Sequence, residues 1–205
     1  MIFTLVFVQL LVYLTFGLSL GTKEKFPIKK NKLILLETIT KIFLFNVIPR
    51  TGFYYWINPN YSFKITSITN FLPNFVLYTA LQDILFWIIH KILHIEPLYT
   101  LIHKKHHSSY KTKTYGIFGK YMSSMDFIIF ELLNCPLKIL FFGSDIQSMY
   151  QIDIIDYIGT ICSHSKLFKL NSHHKIHHYD PNSNFGMTPL SDQIFHTIKY
   201  KKDTC

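Results

Sequence analysis

The 205-residue chain has almost no arginine: 20 of its 21 cationic residues are lysine, and Arg50 is the exception. Bidentate readout of bases or phosphates relies on the guanidinium fork, so nucleic acid is not an expected partner despite a net charge of +9. Cysteine is scarce and odd in number (Cys135, Cys162, Cys205), with no C-x-x-C pair, which excludes a disulfide framework and a dithiol redox motif. Lys91 follows His90, so H-E-x-x-H is missing and the zinc-protease reading lacks its general base. No E-x-x-H occurs either, which excludes the carboxylate-bridged metal site of soluble helical bundles. The chain has neither the C-x-x-C-H motif of covalent haem attachment nor the G-x-G-x-x-G fingerprint of a dinucleotide site. Histidine is missing from the first 89 residues altogether.

All eleven histidines lie between positions 90 and 196. His90 and His94 form H-x-x-x-H, and His103, His106 and His107 form H-x-x-H-H. That second spacing returns at His174, His177 and His178. Residues at i, i+3 and i+4 share one helix face, and imidazole is a common ligand of iron, zinc, copper and nickel rather than magnesium or calcium. Three such faces converging would enclose one metal or two. Asp83, Trp87, His90 and His94 fall on a single helical stripe, which leaves two roles for Asp83. It orients a ligating imidazole, or it is a helix-interface aspartate hydrogen-bonded to another span.

Hydrophobic residues make up 49% of the chain and gather into apolar runs separated by lysine-rich segments. The runs are 2–20, 33–47, 71–94, 126–142 and 146–162. The first reads as a retained span, with a signal peptide as the alternative. The second carries Glu37 and Lys41 and is expected to stop at Pro49; Pro73 should break the third early. Asp153 and Asp156 interrupt the last. Residues 50–70 read as an aromatic lumenal loop holding the sequon Asn60-Tyr61-Ser62. The expected architecture is an all-α integral membrane protein. Four to five membrane-embedded helices would be arranged in hairpins beneath a cytosolic histidine-rich helical cap. Residues 1–70 would be anchoring helices and loop, and residues 71–205 the catalytic domain. Placing the lysine-rich loops inside puts all three histidine clusters on the cytosolic face.

Asp83-x-x-x-Trp87-x-x-His90-Lys91-x-x-His94, then Pro97-Leu98-Tyr99 and His103-Lys104-x-His106-His107, resembles the sterol desaturase and fatty acid hydroxylase superfamily. His173-His174-Lys175-Ile176-His177-His178, Asn184-Phe185-Gly186 and Asp192-x-x-Phe195 resemble that family's closing elements. The resemblance implies an endoplasmic-reticulum-type membrane enzyme holding two non-haem irons and using O2 on a sterol or fatty acyl lipid. Its electrons would come from a cytochrome b5-like donor. It also implies as metal ligands His90, His94, His103, His106, His107, His174, His177 and His178, with His173 and His164 as further ligands. Asn184 and Asp192 would support them, and His196 stands where the family has glycine and reads as non-ligating. The chain departs from the pattern at Lys166, where members have glycine, and at Ser123-Ser124-Met125-Asp126, where members carry His-Pro-x-Asp. Two other classes compete with the enzyme: a membrane metal transporter, and a non-catalytic scaffold relative.

Overall fold

The computed structural model describes residues 28–58, 67–108, 116–164 and 172–200, with Leu11. The expected first span at 2–20, the sequon and Cys205 lie outside the described residues. All regular structure among the described residues is helical.

Helix α1 (Ile28–Ile42) runs through a π-turn, Phe43–Val47, into α2 (Ile48–Ile57). The expected stop at Pro49 does not occur: Pro49 is the second residue of α2, directly after the π-turn, and the helix continues through it. Half of the expected lumenal loop is therefore helix, with Arg50 and Tyr54 buried in it. Helix α3 (Ile68–Leu93) continues past Pro73, whose missing N–H costs one bond near the helix start. A cis Glu96–Pro97 turn and a π-turn at Tyr99–His103 lead into α4 (Lys104–Ser108). A 3-10 segment, Gly116–Lys120, precedes α5 (Ser124–Phe142), which Ser123 caps by accepting from the Asp126 N–H at 3.1 Å. Gly143, at φ 56°, turns the chain back into α6 (Ile146–His164). Short helices α7 (Ser172–Tyr179) and α8 (Pro189–Ile194) finish the fold.

Two apolar clusters hold these helices together. Ile42, Val47, Phe127 and Ile161 join α1 to α5 and α6. Tyr54, Tyr78, Leu137 and Met149 join α2 and α3 to α5 and α6. Between them lies a buried ionic network. Arg50 donates to both carboxylate oxygens of Glu131, at 2.6 and 2.8 Å, and also to Asp153. Asp153 accepts from Lys138 and from Tyr54 Oη at 3.0 Å. The aspartates that interrupt the last apolar run are thereby compensated by cations on neighbouring helices, as a buried charge requires. Among the described residues one helix, Phe71–Leu93, is long and apolar enough to cross a membrane. Helices α5 and α6 are 19 residues each but carry Glu131, Lys138, Asp153 and Asp156.

Candidate metal centre

The histidines converge at one end of the bundle as two groups. His90, His94, His103, His107 and His177 place one nitrogen each within 4.8 Å of one another. His106, His164, His174 and His178 do the same beside them. The helical repeat explains the division. Residues at i and i+4 lie about 40° apart around a helix, whereas i+3 lies about 60° to the other side. His103 and His107 therefore serve the first group, and His106, turned away from them, serves the second. In the last box His174 and His178 serve the second group while His177 crosses to the first.

Hydrogen bonds fix which nitrogen points inward. His90 Nδ1 donates to the Phe185 carbonyl at 2.7 Å, and His177 Nδ1 to the Ser183 carbonyl at 2.7 Å. His103 Nδ1 donates to Asp126 at 3.1 Å, and His164 Nδ1 to the Thr160 carbonyl at 2.8 Å. A carbonyl or carboxylate only accepts, so each of these rings carries its proton on Nδ1 and turns the Nε2 lone pair inward. Yet His90 Nε2 lies 2.9 Å from His103 Nε2, which sets two lone pairs against each other. His94 and His107 Nε2 stand 3.1 and 3.2 Å from His177 Nε2, and His178 Nε2 stands 3.2 Å from His164 Nε2. In the His90–His103 pair both protons are held on Nδ1, so lone pair faces lone pair, an arrangement that a cation between them would relieve. The spacing matches neighbouring ligands on one metal with bonds of roughly 2.1 Å.

Electrostatics agree. Burial first, then the charges of neighbouring imidazoles, holds His106, His107, His174 and His178 well below the usual histidine range. His94 is pushed down to about 2 by burial and by His177 and His103. His177 and His164 fall to about 4, burial outweighing the lift from their carbonyl partners. Neutral imidazole is the form that ligates, so these donors are ready for a metal at neutral pH.

The supporting residues are only partly those expected. Asp83 does not touch an imidazole; it accepts from the Thr188 N–H at 2.6 Å, the Ser191 N–H at 2.9 Å and Ser191 Oγ at 2.5 Å. It thus anchors the start of α8, a short helix outside the apolar runs, rather than a ligating imidazole. The carboxylate that orients a histidine is Asp126, legible in the sequence as the aspartate of Ser123-Ser124-Met125-Asp126. His173 joins neither group, because its Nε2 lies 2.8 Å from Asp192 Oδ2. His196 is exposed, at φ 54°, and outside both groups.

Asp192 is a hub. It accepts from the backbone N–H groups of Phe185 at 2.9 Å and Gly186 at 2.8 Å, from Trp87 Nε1 at 3.1 Å and from Thr197 Oγ1 at 2.5 Å. Asn184, at φ 55°, donates to the His173 and Lys199 carbonyls at 3.1 and 2.9 Å. Together they hold the Phe185 carbonyl against His90. A Cβ at Gly186 would lie 2.6 Å from the Thr188 carbonyl oxygen and 2.9 Å from Asp192 Oδ2, so only glycine fits. Gly119 is equally confined: a Cβ there would lie 2.7 Å from His164 Nδ1. The backbone carbonyls of Thr160, Ser183 and Phe185 give no signal in the sequence. Glu37, paired with Lys41 within α1 at 2.6 Å, also pairs with Lys105 and so ties α1 to α4 and the second box. A cavity of about 320 Å³ opens onto His90, His103 and His106 of both groups and extends between α3, α5 and α6.

Comparison with known proteins agrees with the site. The fatty acid hydroxylase domain-containing protein 2 of Macaca fascicularis and that of Homo sapiens are each 26% identical over 138 residues, covering 65% of this chain and 41% of theirs. Fatty acid hydroxylase ahd1 of Mycosarcoma maydis is 25% identical over 181 residues, 86% of this chain and 45% of its own. The chain thus spans less than half the length of each of these relatives. No solved structure matches. The sequence model of the fatty acid hydroxylase family matches residues 75–197, well over half of the chain and every histidine of both groups, and the chain belongs to that family, within the sterol desaturase and fatty acid hydroxylase superfamily.

Proposed function

We propose that this chain is a membrane lipid oxidoreductase that uses O2 and a histidine-bound pair of irons to hydroxylate or desaturate a C–H bond of a sterol or fatty acyl lipid. The observation that carries the reading is the pair of adjacent nitrogen groups, in which Nδ1 bonds to acceptors turn the Nε2 lone pairs of His90, His103, His164 and His177 inward. The donor set fits a redox-active transition metal and contains no carboxylate suited to magnesium or calcium. His90, His94, His103, His107 and His177 would hold one iron, and His106, His164, His174 and His178 the other. When bound, the irons supply O2 reduction and removal of a hydrogen atom from the substrate carbon.

The chain's own residues bind, orient and exclude water. Asp126 keeps the proton on His103 Nδ1, and the 183–186 backbone does the same for His90 and His177. Phe86 and Phe130, stacked at 4.9 Å, form an apolar collar in the cavity beneath the histidines. In this reading four to five helices embed in an endoplasmic-reticulum-type membrane with the histidines facing the cytosol. Exposed Lys91 and Lys104 lie beside the first two boxes, where they would attract an acidic cytochrome b5-like donor.

The test is metal analysis of detergent-purified protein beside His106→Ala and His177→Ala, one ligand from each group, with lipid analysis of expressing cells grown with and without O2. Two irons per chain, loss of iron in both variants and an O2-dependent lipid product are expected. One zinc in the parent, unaffected by either variant, would refute the proposal.

A further inference from the structure

Three helices each present a polar side chain to the cavity eight residues below the histidine layer: Gln82 below His90 on α3, Asn134 below Asp126 on α5, and Asp156 below His164 on α6. Eight residues of helix span roughly 12 Å. The Phe86 and Phe130 collar separates this polar layer from the histidines. Gln82 Nε2 donates to Asn134 Oδ1 at 3.0 Å and to Asp156 Oδ2 at 3.4 Å, and Tyr78 Oη donates to the same Asp156 oxygen at 3.3 Å. These bonds leave Gln82 Oε1, Asn134 Nδ2 and Asp156 Oδ1 without a partner among the described residues. Gln82 is only 3% exposed, whereas Asn134 is half-buried and the Asp156 side chain is 21% exposed, so the unpartnered atoms face the cavity, where water or a polar guest satisfies them.

One donor and two acceptors around a cavity match a hydroxyl, which both donates and accepts. Lys138, 3.7 Å from Asp156, offsets the carboxylate's charge, so the site suits a neutral guest better than an ammonium. A plain alkyl chain would leave all three atoms unsatisfied. We propose that Gln82, Asn134 and Asp156 are a hydroxyl-recognition site that sets the substrate's hydroxyl roughly 12 Å from the carbon held at the histidines. The substrate class is then a neutral lipid with a hydroxyl two helical turns from the oxidised carbon. This rests on the oxidoreductase reading for the carbon's fate, but not for binding.

The probe is a long-chain primary alcohol carrying a diazirine, beside its deoxy counterpart, photolysed with metal-loaded protein in nanodiscs and mapped by peptide mass spectrometry. The alcohol should label cavity peptides of α3 and α6 about tenfold more than the deoxy probe, the worth of one satisfied buried hydrogen bond. Gln82→Leu and Asn134→Leu should abolish that preference while metal content stays at the parent level. Equal labelling by both probes, as expected if the polar layer holds water only, would overturn the proposal. So would a preference that survives both substitutions. Labelling needs no turnover, so a protein that labels but oxidises nothing refutes the activity and leaves the binding site standing.

Discussion

Asp126 offers the sharpest test of the two-group arrangement, because it supports one ligand of one group only. Its carboxylate, fully buried, accepts from His103 Nδ1 at 3.1 and 3.3 Å and fixes Nε2 as the inward donor. Replacing Asp126 by asparagine keeps an acceptor but removes the charge that strengthens the hydrogen bond from Nδ1. Replacing it by leucine removes the acceptor too, and strands a buried N–H. Loss of such a supporting partner costs roughly 10- to 100-fold in metal affinity, about 1.4 to 2.7 kcal/mol. Asparagine belongs at the low end and leucine at the high end. The second group makes no bond to Asp126, so only one of the two metals should weaken. The assay is metal per chain after dialysis against graded chelator, with circular dichroism to confirm the helices. Asp126→Leu should hold one metal at chelator levels where the parent holds two. Both metals retained, or both lost together from an intact fold, would refute the division into two groups.

Further perturbations reach the supporting structure. Gly186→Ala forces a Cβ against the Thr188 carbonyl oxygen, at 2.6 Å, and should cost about 1–3 kcal/mol of stability, read as a lower melting temperature with metal loss. An unchanged melting temperature would show that this loop does not hold His90. In metal-free protein, His177 and His164 titrate at about 4 in the fold but near 6.5 once unfolded. Unfolding therefore takes up protons between those values, and stability, full above pH of about 6.5, should fall as pH drops through 4. Denaturation midpoints that stay flat from pH 7 to about 4.5 would contradict the burial of neutral imidazoles. Lys138→Met removes a cation from the fully buried Asp153 and from the partly buried Asp156, and should destabilise by about 3–5 kcal/mol, with partial rescue by adding Asp156→Asn. Equal stability of the single variant would mean the network is hydrated.

Spacing along one helix is a local property, and the sequence carried it. His90, His94, His103, His107, His174 and His178 sit on shared faces because 3.6 residues per turn makes i and i+4 neighbours. Those faces, with the ordered boxes, pointed to a metal centre and to the family before any contact was known. The apolar runs likewise marked α3, α5 and α6, whose apolar residues both line the bundle and, at Leu72, Val76, Leu132, Leu140 and Ile155, stand exposed on its outside. Whether a proline stops a helix depends on its neighbours: Pro49 and Pro73 read as breaks, yet Pro73 sits near a helix start, where the missing N–H costs little, and Pro49 follows a π-turn through which the helix continues.

What required the tertiary structure was every choice between partners distant in the chain. Asp83 and Asp126 are each a carboxylate near a histidine box, and only packing assigns the first to α8 and the second to His103. His173 adjoins His174, but one residue of helix turns it by about 100°, away from the metal groups and onto Asp192. Arg50 read as a loop cation, and it became the centre of a buried network only because Glu131 and Asp153 arrive from helices some 80 and 100 residues away. Local periodicity fixes a residue's face, while its partner is set by which helices pack together, and the low dielectric between them makes each pairing consequential.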